Sequence, residues 1–235
     1  MGSFRYAQFC PLACAAEVLG ERWTLLILRE LFVGPQRFSD LRRRLPGVSS
    51  SILAARLARL EERGLVARRS LAPPTPAALY ELASPGRDLE PALMALARWG
   101  ARFLSTRQPE DHVEPDWVRL GLHWFARSGP TPPHAYAIRI PDRAGEVVFR
   151  VEGGPTGTAV TDGGDPGDVL IRAQPLQILG LAAGALDPAA AIRAGAIHAE
   201  GDLAALADFS AQFQMVPTAA EAGSGGAVAP NDKGA

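Results

Sequence analysis

Two short stretches carry most of the side chains able to grip a polyanion. Ser49-Ser50-Ser51 is followed at helical spacing by Ala54, Ala55, Arg56 and Arg59. Serine hydroxyls bond phosphates or either kind of base edge, and alanines let a helix lie close to the floor of a major groove. Ser49 is a good N-cap, and the unpaired N–H groups of the turn it opens favour a phosphate. Arg56 and Arg59 can reach phosphate or guanine. Just before them come Arg37 and then Arg42, Arg43 and Arg44, on a segment placed to cross the DNA backbone. Arg68 and Arg69 follow at the base of a strand pair. From Arg37 to Arg69 there are 9 arginines and 3 acids. A solvated basic face on an ordinary helical domain would show the same composition.

The charge of the whole chain, -1, hides a division. Residues 1–107 hold 16 arginines against 9 acids, whereas residues 108–235 hold 8 Lys and Arg against 16 acids. Only the first half is suited to a polyanion. The basic residues are arginines apart from Lys233, and Arg suits bidentate phosphate and guanine contacts. No apolar run approaches the roughly 20 residues that span a bilayer, and Met1-Gly2-Ser3-Phe4-Arg5 lacks the apolar stretch of a secretory signal. The expected location is cytoplasmic, with no membrane partner.

Local signals place these side chains on a repeating set of elements. Pro11 opens a helix with Leu12, Ala15, Ala16 and Leu19 on its apolar side, and Gly20 ends it. A second helix runs Trp23 to Phe32 and a third Phe38 to Leu45. A fourth begins after Ser49 and runs to about Arg63, with Leu53, Leu57 and Leu60 as its buried stripe. The period then changes. Leu65 to Arg69 and Leu79 to Leu82 read as two strands around a loop holding Pro73, Pro74 and Pro76. One long helix is expected from Ser84 to about Leu104. The order is three helices, a recognition-type helix, a two-stranded wing and a terminal helix.

Residues 10 to 104 closely resemble the HxlR family of winged helix-turn-helix regulators, a branch near the MarR type. The resemblance runs through Cys10-Pro11, Gly20-Glu21-Arg22-Trp23-Thr24, Ile27-Leu28, Gly34 and Arg37-Phe38. It continues in Leu41, Leu45-Pro46-Gly47-Val48-Ser49, Leu53, Arg56-Leu57, Leu60-Glu61 and Gly64-Leu65-Val66. Arg68-Arg69, Tyr80-Glu81-Leu82, Gly86 and Trp99-Gly100 complete it. Ala54 stands where many members have a threonine. The resemblance implies a homodimer whose recognition helices enter successive major grooves of a double-stranded operator. Cys10 matches a cysteine that in some members senses oxidants or electrophiles, whereas Cys14 is not typical of the family.

Residues 108–114 read as a linker, residues 115–217 as a second domain and residues 218–235 as a disordered tail. In the second domain a helix is expected at Pro115 to Arg127. Strands follow at Tyr136 to Ile140, Glu146 to Val151, Gly157 to Thr161 and Asp168 to Ile171. Helices then cover Pro175 to Ala183, Pro188 to Ala194 and Asp202 to Phe213. Leu179, Leu186-Asp187-Pro188, Ala191-Ile192, Gly195-Ala196-Ile197 and Glu200-Gly201-Asp202-Leu203 resemble the end of a sterol-carrier-protein-like domain. That resemblance implies a sheet with helices on one face and an apolar tunnel. Trp117, Leu120, Trp124, Leu176 and Leu179 are then candidate pocket walls for a hydrophobic small molecule, although they equally suit a filled core.

The expected fold is therefore α+β: a winged helix-turn-helix over residues 1–107, then a smaller sterol-carrier-like sheet-plus-helices domain. The expected function is a homodimeric DNA-binding transcriptional regulator, modulated by a hydrophobic effector. The alternatives are a thiol-based sensor acting through Cys10, or a lipid carrier whose winged helix is a docking module. His112, His123, His134 and His198 are scattered without metal-ligand spacing. No catalytic residues, metal or cofactor are expected.

Overall fold

The computed structural model describes residues 5–70, 78–104, 111–143, 145–164 and 167–215. The chain forms two compact units, Met1–Leu96 and Ala97–Ala235. The expected linker lies partly, and the expected tail wholly, outside the described residues.

In the first unit, helices α1 (Pro11–Leu19), α2 (Thr24–Val33), α3 (Phe38–Arg44) and α4 (Ser50–Glu62) precede strands β2 (Val66–Ser70) and β3 (Ala78–Leu82). A two-residue strand β1 (Gln36–Arg37) pairs antiparallel with β3, giving the order β1-β3-β2. Ile27, Leu28, Leu31, Leu41, Leu45, Leu53, Leu57 and Leu60 are buried and form the core of the helical part. In α1 the inward residue is Ala13, while Leu12 and Ala15 are exposed.

The expected long helix is broken in two: α5 (Ser84–Arg87) and α6 (Glu90–Ala101). Pro91 accounts for the break, because it has no N–H to give the carbonyl of Arg87 and its ring crowds that carbonyl. The start of α5 is held against β2, where the Leu65 carbonyl accepts the Ala83 N–H at 2.9 Å. Only glycine fits at position 86, since a Cβ there would lie 2.1 Å from the Leu65 oxygen.

The second unit begins with α7 (Pro115–Phe125). Strands β4 (Ala135–Asp142), β5 (Gly145–Glu152) and β6 (Ala159–Asp162) form an antiparallel meander. Strand β7 (Val169–Ala173) then returns parallel to β4. After α8 (Pro175–Ala182) and α9 (Pro188–Arg193), strand β8 (Ile197–Gly201) closes the order β6-β5-β4-β7-β8. Strand β8 was not expected: Ile197 is its one large apolar residue, so it shows no alternation. Residues Leu203–Asp208 and Ser210–Gln212 form 3-10 turns where an α-helix was expected.

One face of this sheet presents Tyr136, Ile138, Ile140, Phe149, Val151, Val169 and Ile171 to a continuous core. Val118, Leu122, Ile178, Leu181, Phe209 and Phe213 fill it from the other side. The opposite face carries Arg139, Glu146, Arg150, Glu152, Arg172, His198 and Glu200, placed there by the alternation of the paired strands.

Candidate nucleic-acid interface

Helix α4 is set by its cap. Ser49 is extended, and its Oγ accepts the Ile52 N–H at 3.2 Å. The stripe Leu53, Leu57 and Leu60 turns inward, which leaves Ser50, Ser51, Ala54, Ala55 and Ala58 exposed. The expected serines and alanines thus share the solvent side of one helix. The Ser49 and Ser51 hydroxyls lie 3.1 Å apart.

The arginines divide into three groups. Arg37, Arg42, Arg43, Arg68 and Arg69 are exposed. Arg43 pairs with Asp40 at 2.8 Å along its own helix, and Arg69 lies 3.5 Å from Glu81 across the wing. Arg42 and Arg68 have no carboxylate within 4 Å among the described residues. Such exposed pairs are weak and readily exchanged for phosphate.

Arg44 is different. It is buried, and its Nε donates to Glu30 Oε2 at 2.7 Å. Glu30 is fully buried and takes Arg29 on its other oxygen at 2.6 Å. The expectation that Arg44 faces the DNA backbone is corrected: it neutralises a carboxylate inside the fold. The signal was Glu30, a charged residue among Ile27, Leu28 and Leu31 that needs an internal cation.

Arg56 and Arg59, expected to reach phosphate or guanine, form the third group, and both have partners within the fold. Both are half-buried. Arg56 pairs with Glu21 in the turn between α1 and α2, and its Nε donates to the Arg22 carbonyl at 3.3 Å. Arg59 lies 3.6 Å from the same carboxylate and donates to the Glu17 carbonyl at 3.2 Å. Sequence reasoning missed Glu21 as their partner because 35 residues separate it from Arg56.

The other candidates scatter. Cys10 precedes α1 and is half-buried; Cys14 is exposed. Leu120 and Trp124 are buried, Trp117 and Leu179 half-buried and Leu176 exposed. Among the described residues, two open clefts of the second unit bear on the expected pocket. The larger, about 630 Å³, mixes polar and apolar lining in equal measure, with Asp111, His112, Glu114, Pro141, Arg143 and Leu176 in its wall. The other, about 400 Å³, is apolar and lies along Pro188, Ile192, Leu203 and Leu206. Of the five expected pocket residues, Leu176 alone lines either cleft. The reason is packing: Ile178 and Leu181, on the same helix as Leu176 and Leu179, fill the space beneath the sheet. No helix among the described residues is long and apolar enough to cross a membrane.

Comparison with known proteins assigns both halves. Residues 18–108 match the HxlR-like helix-turn-helix family, and residues 133–214 match the SCP-2 sterol transfer family. The HTH-type transcriptional regulator sll1512 of Synechocystis is 34% identical over 107 residues, covering 46% of this chain and 79% of that protein. The HTH-type transcriptional regulator YvaP of Bacillus subtilis is 35% identical over 100 residues, 42% of this chain and 92% of that protein. The reduced form of the transcriptional regulator YodB from B. subtilis is 30% identical, with a TM-score of 0.38, covering 43% of this chain and 100% of that chain. The chain belongs to the HxlR family of helix-turn-helix transcriptional regulators, and joins to that domain a second one of the SCP-2 type.

Proposed function

We propose that this regulator binds an operator in double-stranded DNA as a homodimer, with the first turns of α4 in the major groove. The observation that carries the reading is the exposed face of α4. Ser50, Ser51, Ala54 and Ala55 offer short hydroxyls and methyls, which allow close approach to base edges. Exposed Arg42, Arg43, Arg68 and Arg69, from α3 and β2, supply phosphate contacts that position without specifying.

Apolar surface left on the helices supports a second copy. Leu12 of α1 is 77% exposed; Leu96 and Trp99 on α6 and Phe103 just after it are exposed too, with Trp99 and Phe103 in edge contact at 4.8 Å. Large apolar side chains clustered on exposed helices mark an interaction surface. Two-fold pairing would set the half-sites about one DNA turn, roughly 34 Å, apart.

The effector is the finer part of the proposal. The apolar cleft along Ile192 and Leu203, rather than the Trp117 and Trp124 helix, supports a hydrophobic small molecule. A molecule bound there changes operator affinity only if it binds the two functional states unequally; a tenfold change needs about 1.4 kcal/mol of difference.

The test is a titration of DNA from upstream of the chain's own gene, with the mass of the complex measured by sedimentation. Two chains per duplex, and binding that weakens steeply with salt, are expected. A single chain per duplex, or equal affinity for scrambled DNA, would overturn the dimeric operator reading.

A further inference from the structure

The turn between α1 and α2 meets the chain at two separate places, just ahead of α4 and along α4 itself. At the first, Trp23 is held with φ +81°, a conformation costly for a bulky residue. This brings its indole against Gly47, two residues before the Ser49 cap, where an added Cβ would lie 3.6 Å from the ring. Arg22 sits over the same ring with its guanidinium carbon 5.1 Å from the centre. At the second place, Glu21 takes both Arg56 and Arg59. Each of these arginines also donates to a carbonyl of the turn or of the last turns of α1, Arg22 and Glu17. One three-residue stretch, Glu21 to Trp23, thus touches α4 ahead of its first turn and again along its second and third.

The chemistry of these contacts favours fixed geometry over exchange with DNA. Each guanidinium donates to a backbone carbonyl and lies beside the Glu21 carboxylate, so it is held in orientation by the first and in charge by the second. Leaving for a phosphate would strand Glu21, which is half-buried, and give up the bond to the carbonyl. Arg56 and Arg59 also lie on the flank of α4 that faces the turn, whereas Ser51, Ala55 and Ala58 occupy the outward side.

We propose that Glu21 to Trp23 is a positioning device that sets the rotation of α4 about its own axis, with Arg56 and Arg59 acting as tethers to Glu21 and not as contacts to DNA. The proposal rests on the reading of α4 as the groove-inserted helix. Its consequence is that base discrimination falls to Ser50, Ser51, Ala54 and Ala55, while the charge contacts come from α3 and the wing.

The experiment compares the full chain with Glu21→Gln, Arg56→Ala, the Glu21→Gln/Arg56→Ala double variant and Arg68→Ala. Affinity for the upstream duplex and for a scrambled duplex is measured across a salt series, and thermal melting confirms that each variant is folded. Losing a phosphate contact lowers the slope of log affinity against log salt by about 0.9. Arg68→Ala is expected to do so on both duplexes. Arg56→Ala and Glu21→Gln are expected to keep the wild-type slope and to lose about tenfold in upstream over scrambled preference. The double variant should fall no further than Glu21→Gln alone, because that change already removes the carboxylate that Arg56 pairs with. Arg56→Lys, which keeps a cation beside Glu21, should retain more of the preference than Arg56→Gln, which keeps bulk without charge; a general loss of packing would not separate the two.

A slope lowered by Arg56→Ala as by Arg68→Ala would overturn the proposal, as would unchanged or tighter binding by Glu21→Gln. A wild-type chain that binds neither duplex would refute the DNA reading and this proposal with it. Operator binding with either of the former results would leave that reading standing and remove the tether alone.

Discussion

The two units keep their charges in different places. In the first, carboxylates and arginines are drawn into the fold: Glu30 lies fully buried between Arg44 and Arg29, and Glu21 holds Arg56 and Arg59. In the second, an ion network lies on the outer face of the sheet, where Glu146 bridges Arg139 at 3.4 Å and Arg172 at 3.0 Å. The core beneath is apolar apart from groups such as Tyr136 and Gln212. A positive balance in the sequence therefore overstates the surface open to DNA. What remains outward is a smaller set on α3 and the wing, around a neutral helix face.

This contrast makes mutational costs differ in kind. Phe149 is fully buried at the centre of the second core, and Phe149→Ala is expected to cost that unit roughly 4 kcal/mol, read by hydrogen exchange of β4 and β5 amides. A loss below about 1 kcal/mol would mean the core is less tightly filled than described. In the first unit the comparable weakness is a charge. Arg44→Ala leaves Glu30 short of one buried partner and should cost about 3 kcal/mol. The neighbouring Arg43→Ala, on an exposed pair, should change stability by less than about 0.5 kcal/mol. Equal losses at the two arginines would erase the distinction between inward and outward charge.

The smallest effect is a pH dependence in the second unit. Burial, reinforced by the carboxylates of Asp208, Asp168 and Asp202, pushes the Tyr136 phenol well above its usual range despite a hydrogen bond to Gln212. Its hydroxyl also donates to the Ala205 carbonyl at 2.8 Å. A phenol that ionises less readily in the fold than in the unfolded chain contributes stability that is complete below its ordinary value, about 10, and lost as pH rises past it. Tyr136→Phe should therefore flatten the alkaline loss of stability in β4 and β7. An unchanged alkaline profile would place its cause at another group.

Much of this was legible in the residues. Gly20 ends α1, Ser49 caps α4, and the Leu53, Leu57 and Leu60 stripe orients it, all through signals within one or two helical turns. Failures came where a distant partner or a weak local pattern decides. Pro91 stood in plain view, yet the apolar spacing around it continued across the break between α5 and α6. Strand β8 depends on pairing with β7, since Ile197 is its one buried residue and only the small Ala199 packs beside it. The interface residues were identified as types, but which arginines face outward depends on Glu21 and Glu30. Those carboxylates lie in other helices or turns, and no spacing rule joins them to their partners. The pocket residues misled for a related reason: an apolar helix face reads the same whether it lines a tunnel or fills a core.

The central claim is that the outward face of α4 enters the groove. The most direct test places a negative charge there without touching any buried group or ion pair, giving up only the 3.1 Å contact between the Ser51 and Ser49 hydroxyls. Ser51 is exposed and lies one position inside the helix start. Ser51→Glu should fold with unchanged melting behaviour, since a carboxylate near a helix N-terminus is well tolerated. Fluorescence anisotropy on the upstream duplex should then show affinity falling about a hundredfold or more, because a like charge is driven against the DNA. Affinity within about twofold of wild type would mean that this face does not meet DNA, and would contradict the account at its base.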